Sequence, residues 1–275
     1  MGVSELRTSC TRHRPRAATV RLPAEQPITA RLAGAGSVRS ELQALLAAAP
    51  RGAGRPEFRP LILDSNATGK SSAVTRKKVW QRLKDRYVLD PAVPEYRAFV
   101  AAMAGTTDAR EQGLLCLLMM ARSDRLFREV ALECVSPLLQ RDGTVIDPGT
   151  VHVAIEMRVV AGGRRWTPDT LEHVRQHVLS ALKDFGVLAG SRAKRTVRPR
   201  PGLAATVFAA RLARLEGLPD RRVPESDWLR LLGMNSDGAA TLLYEATRHG
   251  ALSFRVQADV VELSMPDVNI PVELA

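Results

Sequence analysis

The stretch NATGKSSAVTRKKVWQRLKDRY, residues 66–87, combines a dense cluster of basic residues with a helical pattern of apolar residues. It contains seven basic residues and one acid, Asp85. Four large apolar residues recur within it at spacings of one, three and four, which is typical of the buried face of a helix. These residues are Val79, Trp80, Leu83 and Tyr87. The sequence therefore predicts a helix that begins near Ser72 and packs this stripe inward.

The basic residues of the same helix form a second row. Lys78, Arg82 and Arg86 follow one another at i, i+4, where like charges destabilise an isolated helix by roughly 0.2–0.5 kcal/mol per pair. An anionic partner facing this outward row would offset the repulsion. The alternative is a solvated basic face, relieved by Asp85 and by salt.

The overall charge favours a polyanionic partner. Forty basic and twenty-nine acidic residues give a formal net charge of +11, which suits nucleic acid or an anionic surface. A chain rich in Ala, Gly, Arg and Pro can acquire such a charge from its base composition alone, so local clustering is the stronger argument. The 275 residues are enough for two domains, each with its own core.

The cysteines and the hydropathy pattern point to a soluble cytoplasmic protein. Cys10, Cys116 and Cys134 have no CxxC spacing, and the last two lie among apolar residues, as buried free thiols do. No stretch reaches the roughly 20 apolar residues of a membrane span, and the N-terminus lacks the apolar core of a signal peptide.

Residues 1–34 lack apolar periodicity and are predicted to be a basic arm without stable structure. Residues 35–162 predict an N-terminal helical bundle, and Gly162-Gly163 marks the boundary to a domain at 163–275. Within the bundle, residues 50–60 are predicted to form a loop. Residues 151–160 alternate as a strand would, but we favour a helix because no partner strand is evident nearby.

The second predicted domain begins with a strongly periodic helix over residues 167–186. The segment GVLAGSRAKRTVRPRP, residues 186–201, follows it and has five basic residues but no acid. A helix followed by a small basic β-ribbon is how a winged helix contacts DNA. An exposed Pro/Arg-rich linker is the alternative.

Three further helices, at about 204–216, 226–232 and 236–249, precede a β-hairpin at 252–265. Ser236 is the predicted N-cap of the last of these helices. The last helix is not basic, so this region is predicted to be a structural or protein-contact module rather than a second DNA reader.

Motifs for catalysis are incomplete. Gly69-Lys70-Ser71 matches the end of a P-loop, but Asp64 occupies the position of its first glycine, where a carboxylate would repel phosphate. His173 and His177 are spaced i, i+4 without a third ligand, so exposed polar positions, or phosphate contacts in a winged helix, are favoured over a metal site. The sequence therefore predicts no enzyme, no metal and no cofactor.

Several segments resemble a known family. The run over residues 61–86 resembles the N-terminal signature of the BREX protein A family, BrxA, a helical component of bacteriophage exclusion loci. Its matching features are Asn66, a Ser/Thr-rich connection, Thr75-Arg76 and Gln81-Arg82-Leu83. Further likeness lies at 112–135, 166–170, 182–188, 227–229 and 250–254.

This resemblance implies a mainly α protein whose N-terminal bundle is similar to the RNA-binding antitermination factor NusB. It also implies double-stranded DNA binding without catalysis, beside a methyltransferase, an ATPase and a phosphatase-like protein in phage defence. In this chain Ser72, Thr75, Arg76 and Arg82 match positions around the signature helix.

The leading hypothesis is a DNA-binding protein with little sequence specificity that contacts mainly phosphates. Its alternatives are an adaptor for another defence protein and a site-specific winged-helix regulator. The candidate DNA-binding residues are Lys70, Ser72, Thr75, Arg76, Lys77, Lys78, Arg82, Arg86, Arg192, Lys194, Arg195, Arg198 and Arg200.

Overall fold

A computed structural model describes residues 26–50, 52–258 and 260–266. Cys10 and most of the predicted basic arm lie outside these residues. The described chain is mainly α-helical with two small antiparallel hairpins, which confirms the predicted fold class. The NusB-like and winged-helix-like descriptions of its two parts stay predictions.

The helices are α1 (Arg39–Ala48), α2 (Arg55–Leu63), α3 (Ala73–Tyr87), α4 (Pro94–Ala104), α5 (Ala109–Ser123), α6 (Arg125–Val130), α7 (Pro148–Ala161), α8 (Pro168–Asp184), α9 (Leu203–Leu215), α10 (Asp227–Leu231) and α11 (Ser236–Arg248). The first hairpin pairs β1 (Leu188–Ala189) with β2 (Arg195–Thr196), and the second pairs β3 (Ser253–Gln257) with β4 (Val260–Ser264). Short 3-10 helices occupy Ala30–Gly34, Ser136–Leu138 and Asp220–Glu225.

Side chains cap several of these helices at their N-termini. The Ser72 hydroxyl accepts a hydrogen bond from the Thr75 N–H at 3.0 Å, which fixes the start of α3. Asp147 caps α7 and Thr167 caps α8 in the same way. Residues 151–160 lie within α7, so the choice of helix over strand is confirmed.

Two local predictions are wrong. The predicted loop at 50–60 contains the start of α2, because Pro56 is in the first turn, where its missing N–H costs nothing, and Glu57 accepts a bond from the Gly54 N–H. The predicted cap Ser236 is the first residue of α11, and Asn235 supplies the cap.

The buried apolar side chains form one cluster that extends from Ile28 to Leu263. Helix α5 is central to it, with every residue from Gly113 to Arg122 buried. A Cβ at Gly113 would lie 2.6 Å from the Phe185 carbonyl oxygen, so only glycine allows this approach to the end of α8.

The core crosses the predicted boundary at Gly162-Gly163. Phe208 of α9 packs against Phe99 of α4, with ring centroids 6.0 Å apart. The Glu111 carboxylate of α5 accepts a hydrogen bond from the Ala205 N–H at 3.0 Å, at the start of α9. The division into two domains stays a prediction, but their apolar surfaces are continuous.

Residues 26–34, assigned to the arm from sequence, instead pack on the fold. Ile28 and Leu32 are buried, and the 3-10 helix Ala30–Gly34 contacts α8. We call residues 26–37 the N-terminal strap. Its apolar residues are too sparse to show a periodicity, which is why the sequence did not reveal it.

Candidate nucleic-acid interface

Helix α3 has its apolar stripe inside the molecule, as predicted. Val79, Leu83 and Tyr87 are buried, and Tyr87 stacks near Phe99 with ring centroids 6.1 Å apart. Trp80 is partly buried, and the Lys84 ammonium lies 5.1 Å from its ring centroid. The basic residues of α3 are therefore distributed around a helix whose orientation is fixed by the core.

The prediction that the basic row of α3 faces outward is wrong at its C-terminal end. Lys78 is exposed, but Arg82 is only half-exposed and donates a hydrogen bond to the Gly34 carbonyl. Arg86 is 4% exposed and donates to the Ala35 carbonyl at 2.5 Å. Burial lowers the pKa of Arg86. Both guanidinium groups bind the N-terminal strap, a function that no local sequence pattern indicated.

Arg76 also has internal hydrogen bonds. Its Nε donates to the Leu63 carbonyl at 3.0 Å, and its Nη1 donates to the Lys70 carbonyl at 3.2 Å. These bonds fasten α3 to the end of α2 and to the loop between them. The guanidinium retains further donors, but its position is set by the protein backbone.

Lys70 forms an ion pair with Glu41 of α1, with 2.7 Å between Nζ and Oε1. Burial raises the pKa of Glu41, but hydrogen bonds from Lys70 and Ser40 outweigh it, so the net pKa lies below the ordinary value. Ser72 and Thr75 are exposed, and their hydroxyls lie 3.0 Å apart in the cap of α3.

Lys77 and Lys78 differ from the other basic residues in this part of α3. Both are exposed, and neither has a hydrogen bond or ion pair within the described residues. No acidic residue lies in the first turn of the helix. These two ammonium groups are therefore free to contact an external anion.

The predicted basic ribbon is present as the β1–β2 hairpin, which confirms a hairpin rather than an unstructured linker. Val145 forms a further bridge beside β2, and the Arg195 guanidinium donates to the Gly143 carbonyl at 3.0 Å. The Lys194 ammonium folds back onto the Gly190 and Ser191 carbonyls at 2.9 and 3.0 Å. Thus Lys194 and Arg195 stabilise the hairpin and its support.

Arg192, Arg198 and Arg200 are exposed, and their side chains have no partner within the described residues. Arg192 lies in the turn of the hairpin, and the other two follow β2. The backbone N–H of Arg198 donates to the Asp142 carboxylate, so the strand exit is held while the side chain stays free. We call Lys77, Lys78, Arg192, Arg198 and Arg200 the free cations.

The histidine pair does not resemble a metal site. His173 is exposed, whereas His177 is half-buried near the N-terminal strap. Burial lowers the pKa of His177, and a hydrogen bond with the Leu32 backbone opposes that shift. Within the described residues, no group of three or more His, Cys, Asp or Glu side chains is arranged to hold a metal ion.

Fold and site together define a mainly helical protein that presents unpaired cationic side chains on one helix and one hairpin. The BrxA family model matches residues 28–209, well over half of the chain. The chain therefore belongs to the BrxA family, that is, BREX protein A, and is a component of a BREX phage-defence system. No curated protein matches it.

Across the residues that the structure describes, no helix combines the length and the apolar character needed to cross a membrane.

Proposed function

We propose that this protein binds double-stranded DNA through phosphate contacts, without catalysis and with little sequence specificity, as its contribution to BREX defence. The observation that supports this most directly is the set of free cations. The other basic residues among the candidates are hydrogen-bonded or paired internally, so these five are the candidates whose charge remains available. Arginine and lysine side chains of this kind neutralise phosphates without reading bases.

The mechanism follows from counterion release. Each phosphate that a bound cation neutralises releases condensed counterions, and the logarithm of affinity falls with the logarithm of salt by about 0.9 per phosphate. Five contacts would give a slope of about −4.5. A duplex of any sequence offers the same phosphates, so affinity should vary little between unrelated duplexes.

The experiment is a fluorescence-anisotropy titration of two unrelated duplexes over a range of salt concentrations. The variant K77A/K78A/R192A/R198A/R200A should lose most of the salt dependence. A control variant, R221A/R248A/R255A, removes three exposed charges from the C-terminal region and should keep the wild-type slope. If the five-residue variant binds as tightly as wild type, these residues are not the interface. A strong preference for one duplex would instead favour a site-specific regulator.

A second candidate function is an adaptor that docks onto another BREX protein, such as the methyltransferase, the ATPase or the phosphatase-like component. An apolar stripe on α7 favours it: Val153, Met157 and Val160 are 53%, 50% and 63% exposed at i, i+4, i+7 spacing. Capture of this protein from cells that contain the whole locus, with and without nuclease, separates the two functions. An association that survives nuclease and is lost in V153S/M157S supports the adaptor.

A further inference from the structure

A polar cleft of about 370 Å³ lies where the N-terminal strap, the end of α3 and the corner between α5 and α6 meet. It is separate from the free cations, none of which lines it. Five basic and two acidic side chains contribute to its wall. The charged lining residues are Arg31, Arg55, Lys84, Asp85, Arg122, Asp124 and Arg125.

The basic residues differ in how far their charge is already satisfied. Arg122 and Arg125 pair with Glu95 and Glu129, each at 2.6 Å. Arg31 and Lys84 have no ion pair among the described residues, and Arg31 is exposed at the rim. The cleft therefore keeps unpaired positive charge on the side formed by the strap and α3.

Arg55 is held in place at this cleft by the backbone. Its Nε and Nη2 both donate to the Val88 carbonyl, at 3.0 and 2.9 Å, so the guanidinium is oriented and retains other donors. Val88 itself has φ 64° and ψ −50°, and the Leu89 N–H donates to the Tyr87 carbonyl at 2.6 Å. This is a strained γ-turn for a β-branched residue, and such strain concentrates at functional sites.

The acidic residues of the cleft favour a ligand that has hydrogen-bond donors as well as a negative charge. Both carboxylate oxygens of Asp85 accept from the Gln81 amide, at 3.0 and 3.1 Å, and Asp124 is buried and caps α6. A simple anion would be repelled by Asp85. A ligand that joins a phosphate to hydroxyl or amino donors would satisfy the cations and this carboxylate together.

Size and charge pattern together indicate the ligand. The cleft lies at the small end of the 300–1,000 Å³ range that is typical of small-molecule sites. We propose that it binds a nucleoside monophosphate unit, with the phosphate toward Arg31, Arg55 and Lys84 and a hydroxyl or amino group toward Asp85. The unit can be a free nucleotide or the terminal nucleotide of a nucleic-acid strand. This site does not depend on the proposed duplex-binding function.

Isothermal titration calorimetry with the full chain tests the proposal, using AMP, inorganic phosphate and a 5′-phosphorylated single-stranded oligonucleotide. We expect AMP or the oligonucleotide to bind. R31A/K84A should weaken that binding at least about tenfold, because two charge-assisted contacts to phosphate are lost. R221A/R248A, which removes the same amount of charge from exposed positions outside both the cleft and the free cations, should bind as wild type does.

A second variant separates recognition of the nucleoside from recognition of its phosphate. D85N should weaken AMP relative to inorganic phosphate, because an amide accepts hydrogen bonds less strongly than a carboxylate. Binding of AMP supports the proposal and identifies a free nucleotide as a ligand. Binding of the oligonucleotide alone also supports it and identifies the terminal nucleotide of a strand. Absence of binding by both would overturn it, as would equal affinities for wild type and R31A/K84A.

Discussion

Helix α3 and the β1–β2 hairpin are both rich in basic residues, but the fold uses these residues differently. Along α3, the exposure of the basic side chains decreases toward the C-terminus. Lys77 and Lys78 are free, Arg82 is half-exposed, and Arg86 is buried against the N-terminal strap. On the β1–β2 hairpin, Lys194 and Arg195 donate hydrogen bonds to backbone carbonyls of the hairpin and its support, while Arg192 in the turn remains free. A basic residue is therefore a candidate for DNA contact only when the tertiary structure leaves its charge unpaired.

The largest effect is expected for the buried end of α3, at Arg86. R86A should lower the free energy of unfolding by about 2–3 kcal/mol, because it leaves a cavity and an unpaired Ala35 carbonyl. Urea denaturation measures this change. K78A, from the same row, should change stability by less than about 0.5 kcal/mol. Equal stabilities of the two variants would contradict a structural role for Arg86.

The next effect is expected at the hairpin, and it concerns binding rather than folding. R192A/R198A/R200A should make the salt slope of duplex binding less steep by about 2.7, since three phosphate contacts are removed. Its unfolding midpoint in urea should stay close to that of wild type, because these side chains have no internal partners. A wild-type slope would show that the hairpin does not contact DNA.

A smaller change in binding is expected for the two free cations of α3, Lys77 and Lys78. K77A/K78A should reduce the salt slope by about 1.8 without loss of stability. The matched pair R76A/R82A removes the same charge but also hydrogen bonds to the Leu63 and Gly34 carbonyls, so it should destabilise the fold. The comparison between α3 and the hairpin fails if K77A/K78A unfolds as easily as R76A/R82A.

The smallest expected effect is the pH dependence of the contact between α8 and the N-terminal strap. Burial lowers the pKa of His177 in the folded state, so the unfolded state binds more protons as the pH falls. Stability should therefore decline as the pH drops through the ordinary histidine pKa of about 6.5 and level off below the lowered folded value. Denaturation of H177Q between pH 7.5 and 5 should lack this decline, whereas H173Q should retain it.

Much of the fold was predictable because its signals are local. The start of α3 near Ser72, the stripe through Val79 and Leu83, and the alternation of the final hairpin depend only on residues a few positions apart. The start of α2 was not predicted, because the three prolines in 50–60 favour a loop unless their places within a helix are known. The family resemblance likewise followed from ordered short segments and is confirmed over 28–209.

The candidate site was predicted less well. Charge clustering identified Lys77, Lys78 and the hairpin arginines, but it also included Arg86 and Lys70, whose partners lie 51 and 29 positions away in the chain. It omitted Arg31 and Lys84, which line the cleft, because nothing near them in sequence shows that strap and helix meet.

The sequence by itself determined where most of the helices lie, which of their faces are apolar, and to which family the chain belongs, since these depend on spacing along the chain. The tertiary structure alone decided which cations are free. A guanidinium that reaches a backbone carbonyl across the fold, as Arg82 and Arg86 do, exchanges water for an internal acceptor, and one without such a carbonyl keeps its charge in solvent. That difference depends on distances in space, which spacing in sequence does not fix.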